Sequence, residues 1–325
     1  MHTTVIFWYN HRIQMAMETC LVFGGGGFIG SHIAEALVEN GYNVKVFDSF
    51  PLGMKNLAFI KDRIEIIKGD FLDERDTATV FKGCDYVFHY ISTTVPASSK
   101  KDPVYDVSSN IIGSVKLLQA AVNNNVKKII FPSSGGTIYG DPVNLPVSET
   151  ALANPLDPYA ISKLAIEKYL NYFYLTYGLN YTIVRYSNPY GERQNPGGSQ
   201  GVIPIFLNRI REGQQPLIFG DGSMVRDYIY IKDAVAATMA LFNKQATGEI
   251  FNIGSGEGTS LNKLIDIMSD VVGKTIKPRY IHNSQHYIQK IVLDISKIQN
   301  EVSWKPETNI RDGIQKTWEW LCNCT

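Results

Sequence analysis

From residue 19 onward, short apolar runs alternate with segments that carry apolar residues at helical spacing. The apolar runs are rich in Val, Ile, Phe and Tyr, which is typical of buried strands, and the segments between them repeat at about the 3.6-residue period of an amphipathic helix. A parallel sheet with crossover helices produces this alternation. The expected strands are CLVF, NVKVFD, RIEIIKGD, YVFHYIS, KKIIFPSS, NYTIVRYS and EIFNIGS.

The alternation loosens after Arg185, where loops separate isolated helical segments. We therefore expect an α/β fold, with a doubly wound parallel sheet and a smaller α/β domain that covers it. Residues 1–18 lack the pattern and are expected to form an N-terminal extension, in which Met15 or Met17 is an alternative start. The expected domains are 19–186 for the sheet, with about 226–254 returning to it, and 187–325 for most of the second domain.

The charge balance excludes some classes of partner. The chain of 325 residues contains 31 Lys and Arg and 31 Asp and Glu, so no basic field favours a nucleic acid or an anionic membrane surface. No apolar stretch approaches the ~18 residues of a membrane span. The cysteine spacing matches neither a zinc site nor a disulfide framework, which indicates a reducing cytoplasm and no metal. The cysteines are Cys20, Cys84, Cys322 and Cys324.

A glycine-rich turn joins the first expected strand to the first helix, with Gly24, Gly27 and Gly30 at GxxGxxG spacing. Glycine lets a backbone turn tightly and approach a pyrophosphate, and the helix N-terminus offers free N–H groups. Asp48 ends the next strand, where a carboxylate accepts the ribose hydroxyls of NAD and repels the extra phosphate of NADP. Asp70 ends the third strand, where an acid can reach the adenine amine. The sequence therefore predicts an NAD site.

Tyr159 and Lys163 are four residues apart, on one turn of an expected helix. A tyrosine with its ordinary pKa near 10 is a poor base at neutral pH. A lysine ammonium one turn away and a cationic nicotinamide favour the phenolate. Next to an NAD site, the pair is expected to take a proton from a hydroxyl whose carbon yields hydride. The alternative interpretation is a surface helix pair without chemistry.

Several ordered motifs resemble those of the extended short-chain dehydrogenase/reductase family, and specifically of its nucleotide-sugar epimerases. The resemblance covers about residue 19 to the C-terminus. It implies a Rossmann domain that binds NAD, a smaller C-terminal domain that binds a nucleoside diphosphate sugar, most commonly a UDP-sugar, and a homodimer. The motifs are GGGGFIGSH, NIIGSVKLL, SSGGTIYG, YAISK, RYSNPYG, GDGSMVRDYIYIKD and VSWKPETNIRDGI.

The resemblance also implies the residues of both sites. Arg226 is expected to contact a substrate phosphate, because a guanidinium is permanently charged and binds phosphate bidentately. Asn188 is expected to contact the diphosphate sugar. The other implied cofactor residues are Phe28, Ile29, Phe71, Tyr90, Ile91, Ser92, Asn110, Ser133 and Tyr186, together with Tyr159 and Lys163, and the other implied substrate residues are Thr94, Val202 and Asp227.

The proton relay departs from the family pattern. Relatives carry Ser or Thr four residues before the tyrosine of the YG pair, where its hydroxyl relays the proton between substrate and base. This chain has Gly135 at that position. Ser134 or Thr137 is expected to supply the hydroxyl, with Ser134 slightly favoured. The alternative is that both hydroxyls only satisfy backbone groups.

Two further departures concern the substrate. Dehydratases and decarboxylases of the family carry an acid just before VYG, whereas this chain has Gly136 and Thr137, which disfavours dehydration. Relatives also hold phosphate and ribose with an Arg-x-x-Asp element, which is missing here. His286, a loop histidine at that place, either donates to a phosphate or, as we favour, is merely exposed. The residues of the replaced segment include His282, Gln285, His286 and Tyr287.

Together these features predict a cytoplasmic, NAD-dependent nucleotide-sugar 4-epimerase of polysaccharide or glycan synthesis. Tyr159 deprotonates the C4 hydroxyl, a 4-keto sugar forms and turns over, and hydride returns to its other face. One alternative is an NAD(P)H-dependent reductase of a 4-keto nucleotide sugar, which uses the same residues and releases its cofactor. Another is a catalytically inactive NAD-binding relative. The sequence leaves the sugar and the nucleotide open.

Overall fold

The computed structural model describes residues 17–51, 53–77, 79–244, 246–282 and 288–323. Most of the expected N-terminal extension lies outside these ranges, as do Gln285, His286 and Tyr287. Within them, no helix is long and apolar enough to cross a membrane. The same ranges contain no group of His, Cys, Asp and Glu side chains arranged to hold a metal ion.

The strands form one large sheet and two small ones. The large sheet has the order β10-β6-β5-β4-β1-β2-β3, the three-stranded sheet β11-β9-β7, and the two-stranded sheet β12-β8, with the strands defined as follows. They are β1 (Thr19–Phe23), β2 (Asn43–Asp48), β3 (Glu65–Lys68), β4 (Tyr86–His89), β5 (Lys128–Ser134), β6 (Asn180–Tyr186), β7 (Asn188–Tyr190), β8 (Leu217–Phe219), β9 (Val225–Tyr230), β10 (Glu249–Ile253), β11 (Gly258–Ser260) and β12 (Arg279–Ile281).

All neighbouring strands of the large sheet are parallel. Chain order reverses between β1 and β4, and such a switch point opens a crevice at the carboxyl ends of the strands, where ligands bind in doubly wound folds. The predicted α/β, doubly wound Rossmann fold is therefore confirmed.

Helices cover both faces of the sheet and build the rest of the molecule. A π-helical segment, Val107–Ile112, joins α4 to α5, and short 3₁₀ turns lie at Lys55–Leu57 and Lys61–Arg63. The α-helices are α1 (Phe28–Glu39), α2 (Glu74–Thr77), α3 (Pro96–Ser99), α4 (Pro103–Asp106), α5 (Gly113–Asn123), α6 (Pro158–Tyr177), α7 (Val202–Arg211), α8 (Ile231–Asn243), α9 (Leu261–Val272), α10 (Ser296–Val302) and α11 (Ile310–Asn323).

Local sequence signals explain where α6 begins and ends. Asp157 caps its N-terminus, because the Asp157 side chain accepts a hydrogen bond of 2.9 Å from the Ala160 N–H. Pro158 occupies the first helical position, where its missing N–H costs nothing. The helix ends at Gly178, which has a φ of +70° and adopts the left-handed conformation that favours glycine.

Separate apolar clusters pack on the two faces of the large sheet. One contains Phe88, Ile33 and Leu37, and the other contains Phe23 and Phe131. Strands β1, β4 and β5 are buried on both faces, and each contains an unbroken apolar run (CLVF, YVF and IIF) rather than an alternating pattern. The clusters hold the carboxyl ends of these strands in a fixed arrangement.

A C-terminal segment returns to the edge of the sheet near β10. The Val147 N–H donates to the Val292 carbonyl, and the Asp294 N–H donates to the Val147 carbonyl, each over 2.8 Å. Leu293, between these residues, is fully buried in a third cluster with Phe251 of β10. This segment therefore packs directly behind the loop that follows β5.

Candidate active site

The glycine turn between β1 and α1 leaves no room for side chains. Gly24 has a φ of +75°, and its N–H donates to the Phe47 carbonyl over 2.8 Å. A Cβ at Gly24 would lie 2.7 Å from the Ile91 backbone nitrogen, and a Cβ at Gly30 would lie 2.2 Å from the Gly24 carbonyl oxygen. The turn is therefore packed against the start of α1 and the segment after β4. Its bare backbone suits the close approach of a pyrophosphate.

Asp48 is held at the edge of this turn by two backbone donors. Its carboxylate accepts hydrogen bonds of 2.9 Å from the Gly26 and Phe50 N–H groups, and the side chain is only 8% exposed. Asn56, which the sequence reasoning missed, donates to the Gly26 carbonyl over 3.1 Å. The bare turn and the fixed carboxylate fit the pyrophosphate and ribose of a dinucleotide such as NAD.

Asp70 and Phe71 follow β3 but differ in what they can offer. Asp70 is exposed, and its carboxylate accepts a hydrogen bond of 2.9 Å from the Leu72 N–H. Phe71 is buried, with its ring 6.0 Å from that of Phe23 and in contact with the backbone of Gly113. The structure thus leaves Asp70 accessible and places the Phe71 side chain in the core, so only the Phe71 backbone can face a cofactor.

The segment after β4 is tied to β6 through a pair of phenols. The Tyr90 and Tyr186 hydroxyls lie 2.8 Å apart, and the Tyr186 hydroxyl lies 2.6 Å from that of Thr238. Burial raises the pKa of both tyrosines, so both phenols are neutral. These side chains therefore form a fixed wall of the crevice rather than a source of protons.

Tyr159 and Lys163 lie on one turn of α6, as expected. The Lys163 Nζ is 5.7 Å from the centre of the Tyr159 ring and donates to the Pro132 carbonyl over 2.9 Å. Burial lowers the pKa of Lys163 to about 8, and the nearby Asp106 and Glu167 carboxylates oppose that change. Burial raises the pKa of Tyr159 above its ordinary value. Both side chains line one small cavity with Ile91, Ser92 and Asn110.

The loop after β5 carries both candidate relay hydroxyls. The Thr137 Oγ1 donates to the Ser134 Oγ over 2.8 Å, so the two are hydrogen-bonded partners rather than alternatives in space. Both side chains are half-buried. The neighbouring Ser133 Oγ is buried without a hydrogen-bond partner among the described residues. A buried, unsatisfied hydroxyl at this position is available to a bound ligand.

Gly135 is glycine for a steric reason. Its φ is not positive, but a Cβ there would lie 2.6 Å from the Leu293 side chain and 2.9 Å from the Arg185 carbonyl oxygen. A serine at Gly135 therefore does not fit unless the backbone moves. Residue 135 therefore lacks the usual relay hydroxyl because the C-terminal segment, through Leu293, packs too closely against this loop for a side chain.

Several expected substrate residues meet beside this loop. The Asn188 amide lies 3.6 Å from the position of a Cβ at Gly136, and it donates to the Asp227 carbonyl over 2.9 Å. The Arg226 guanidinium donates to the Ile288 carbonyl over 2.7 Å, which joins it to the segment that replaces Arg-x-x-Asp. Val202 begins α7 directly after Gly201. Asn188 and Arg226 thus lie on the neighbouring strands β7 and β9.

Two expected substrate residues have their polar groups occupied. Asp227 is fully buried, and its carboxylate accepts bonds from Ser255, Gly256 and Leu293. Thr94 is 4% exposed, and its hydroxyl donates to Asp106. We therefore reassign both residues from substrate contact to positioning of neighbouring segments.

A sequence model described as the NAD dependent epimerase/dehydratase family matches residues 20–254. The chain belongs to this family. The solved UDP-glucose 4-epimerase of Thermotoga maritima, in complex with UDP-glucose, is 38% identical to it, with a TM-score of 0.89 and coverage of 94% of this chain and 99% of that one. The chain is therefore an enzyme of an NAD-dependent family.

Two more relatives of the family bear on the reaction. The solved UDP-glucose 4-epimerase of Thermus thermophilus, in complex with NAD, is 32% identical, with a TM-score of 0.86 and coverage of 94% of this chain and 100% of that one. A dTDP-4-dehydro-6-deoxyglucose reductase of Escherichia coli is 34% identical over 302 residues, which are 91% of this chain and 95% of that protein. Epimerases and a reductase are thus similar to this chain at comparable sequence identity.

Proposed function

We propose that the protein is an NAD-dependent nucleotide-sugar 4-epimerase. The observation that carries the proposal is the placement of Tyr159 and Lys163 on one turn of α6, around the same cavity as Ile91, Ser92 and Asn110. The absence of an acid at Gly136 and Thr137 supports simple redox chemistry at one carbon rather than dehydration. The similarity to solved UDP-glucose 4-epimerases supports the same conclusion.

Bound NAD supplies an acceptor and donor of hydride. Within the chain, the glycine turn would hold the pyrophosphate. The Asp48 carboxylate would accept hydrogen bonds from the ribose hydroxyls, and Lys163 would hold the nicotinamide ribose. Tyr159 takes the proton from the C4 hydroxyl of the sugar and returns it after the 4-keto sugar has turned over. Because burial raises the pKa of Tyr159, its phenolate depends on nearby positive charge, which the Lys163 ammonium provides.

The substrate is a nucleoside diphosphate sugar, with a UDP-sugar favoured by the relatives named above. Arg226 and Asn188 are proposed to hold its diphosphate. Arg226 has one arm on the Ile288 carbonyl, so phosphate binding and the placement of the segment after Ile288 are coupled. The enzyme is proposed to act in the cytoplasm, in polysaccharide or glycan synthesis.

The proton relay gives a testable ranking. Because Thr137 donates to Ser134, the Ser134 hydroxyl has its own proton free to donate onward, which supports Ser134 as the proposed relay residue. We expect Ser134→Ala to lower turnover by about 10-fold to 100-fold with little change in substrate affinity, and Thr137→Ala to lower it mildly, because the relay bond forms mainly in the transition state. Steady-state kinetics of both variants checks this.

The reverse ranking would name Thr137 as the relay. Full activity in both variants and in the double variant would instead mean that Tyr159 reaches the sugar directly or through water. Gly135→Ser cannot serve as a rescue of Ser134→Ala, because its Cβ would press on Leu293 and the Arg185 carbonyl. That variant is expected to lose thermal stability rather than gain activity.

A homodimer is proposed from an exposed apolar surface on α4 and α6, which pack against each other. Val104, Ile161, Tyr172 and Leu175 are 78%, 51%, 49% and 74% exposed, and an apolar patch of this kind marks an interface. We expect Leu175→Glu to raise the dimer dissociation constant at least ~10-fold, measured by analytical ultracentrifugation. Val143→Glu, at a still more exposed loop position, is the control. A wild-type protein that is monomeric at every concentration contradicts the proposal.

The second candidate function is a 4-keto nucleotide-sugar reductase, which the similarity to the Escherichia coli reductase favours. An inactive NAD-binding relative is disfavoured because Tyr159 and Lys163 are both in place. Two incubations of the purified protein separate the three functions: one with a panel of UDP-, dTDP- and GDP-sugars without added cofactor, and one with the corresponding 4-keto sugar nucleotides and added NAD(P)H. Inversion at C4, read by proton NMR, supports the epimerase. Reaction only with a 4-keto sugar and added NAD(P)H supports the reductase, and no reaction with either supports the inactive relative.

A further inference from the structure

A buried carboxylate, Asp106, lies at the centre of a hydrogen-bond network beside the proposed catalytic pair. It ends α4 and is fully buried. One carboxylate oxygen accepts from the Thr94 hydroxyl and, over 3.2 Å, from the Asn110 amide, and the other accepts from the Ser162 hydroxyl. A single side chain thus connects the segment after β4, the π-helical segment and the α6 residue that precedes Lys163.

The Asn110 side chain makes further hydrogen bonds within this network. The Asn110 amide nitrogen also donates to the Thr94 hydroxyl over 2.9 Å, while the Asn110 carbonyl oxygen accepts from the Thr93 N–H over 3.1 Å. Asn110, Ser162 and Lys163 all line the small cavity that contains Tyr159. Two residues that line the cavity with Lys163 are therefore bonded to Asp106, while the Lys163 Nζ itself donates to the Pro132 carbonyl.

No ion pair joins Asp106 to a lysine or arginine in the described part of the chain. An unpaired buried carboxylate is costly unless hydrogen bonds compensate its lost hydration, and a charge kept at such a place is a candidate for function. Burial raises the pKa of Tyr159, and the charges of Asp157 and Asp106 raise it further. Burial lowers the pKa of Lys163, and the charge of Asp106 opposes that change, so Asp106 acts on both members of the catalytic pair.

The other charged or titratable groups around Lys163 are compensated or neutral. Glu167, one turn further along α6, is bound to Arg185 over 2.6 Å. His89 on β4 is neutral, because burial lowers its pKa to about 3. After burial, the charge of Asp157 is the next cause that raises the pKa of Tyr159, and the Asp157 carboxylate caps the start of α6. Of the two acids that act on Lys163 in the described ranges, Glu167 has an ion pair and Asp106 has none.

We propose that Asp106 is a positioning residue for this reaction: its carboxylate fixes Ser162 and the α6 turn of Lys163 against Thr94 and Asn110, and it places a negative charge beside that turn. The proposal rests on the proposed function in its catalytic part, since Lys163 has a role only if the Tyr159 chemistry operates. Its structural part concerns the chain alone. The two parts are therefore tested with different measurements.

The first test follows the protonation of Lys163 by NMR of 13Cε-labelled lysine, which requires no turnover. Burial lowers the pKa of Lys163 to about 8, and the Asp106 charge opposes that change. Asp106→Asn removes the attracting charge, so the pKa of Lys163 should fall further below its ordinary value. Burial also lowers the pKa of Lys128, the first residue of β5, to about 8, and Lys128 is an internal control whose signal should not move. Lys163→Met and Lys128→Met assign the two signals. An unchanged Lys163 signal in Asp106→Asn overturns the proposal.

The second test separates charge from hydrogen bonding. Ser162→Ala keeps the Asp106 charge, so it should lower turnover about 10-fold without moving the pKa of Lys163 or the pH profile. Asp106→Asn should lower turnover and also move both limbs of the profile to lower pH, because loss of the charge lowers the pKa of Tyr159 and of Lys163 together. Thr94→Ser keeps the hydroxyl and should retain most activity, whereas Thr94→Ala should not.

The outcomes distinguish this proposal from the proposed function. A shifted Lys163 signal in a protein without epimerase activity contradicts the function and leaves the electrostatic role of Asp106 standing. An active epimerase whose turnover and pH profile are unchanged by both Asp106→Asn and Ser162→Ala contradicts the positioning role alone. If Asp106→Asn fails to fold, Ser162→Ala and Thr94→Ala decide, and full activity in both overturns the proposal.

Discussion

Replacing Tyr159 by phenylalanine is expected to lower turnover by a factor of ~100 or more, because only the group that carries the proton is removed. The ring remains to pack in the cavity, and the backbone N–H of residue 159 keeps its bond to the Ser99 hydroxyl. Thermal stability and NAD content should therefore stay close to those of the wild type. Turnover, melting temperature and the NAD released on denaturation are the measurements.

Tyr169→Phe is the matched control for this variant. Tyr169 lies on the same helix but is 40% exposed and does not line the cavity. It should lose neither turnover nor stability. Undiminished activity of Tyr159→Phe, with the control also active, would remove Tyr159 from the mechanism.

NADP is expected to bind at least ~100-fold more weakly than NAD, a difference of about 2.8 kcal/mol. The reason is the Asp48 carboxylate, which two backbone donors hold in place and which therefore cannot turn away from a 2′-phosphate. Repulsion between two anions at a partly buried position is worth several kcal/mol. Titration of the cofactor-free protein with each dinucleotide, followed by calorimetry, measures the ratio.

Asp48→Asn should reduce this preference, since the amide is neutral. Asp70→Asn is the control, because Asp70 is expected at the adenine, which is the same in both cofactors. It should change the two affinities by similar factors and leave their ratio intact. Comparable affinities of the wild-type protein for NAD and NADP would contradict the role given to Asp48.

The large sheet was predictable because its strands are buried and rich in β-branched and aromatic residues. The run CLVF falls within β1, and NVKVFD coincides with β2. The two small sheets were not predicted. Four of their five strands, β7, β8, β11 and β12, span only three residues each, which is too short for a periodic signal. The fifth, β9, has six residues and was noted only as part of the motif GDGSMVRDYIYIKD. The crevice followed from the large sheet, but the walls supplied by the small sheets did not.

The site was predictable where a motif fixes the backbone and uncertain where side-chain direction decides. Arg226 and Asp227 were both expected at the substrate, yet adjacent residues of a strand point to opposite faces. Asp227 is accordingly buried among backbone donors, while Arg226 remains partly exposed. After β3, the side chain of Phe71 is likewise buried in the core while its neighbour Asp70 is exposed. In an extended segment, two candidate residues that are adjacent in sequence are predicted to point to opposite faces, and this spacing could have separated Arg226 from Asp227.

Other parts of the site depend on contacts between distant segments. The bond between Thr137 and Ser134 turns two candidate relay residues into one pair. Leu293, more than a hundred residues later, explains why residue 135 is glycine. Asp106 was missed because its segment, KDPVYDVSS, is polar and carries no motif. Only the fold brings it beside Ser162 and Lys163.

The central claim is that one carbon of a nucleotide sugar loses and regains hydride within the enzyme. The most direct test uses the sugar nucleotide that the substrate panel identifies, deuterated at C4, in the absence of added cofactor. The account predicts that the C4 epimer forms with deuterium retained at C4 and with no net accumulation of reduced cofactor. Epimerisation with loss of deuterium to solvent, or failure of every sugar nucleotide to invert at C4, would contradict it.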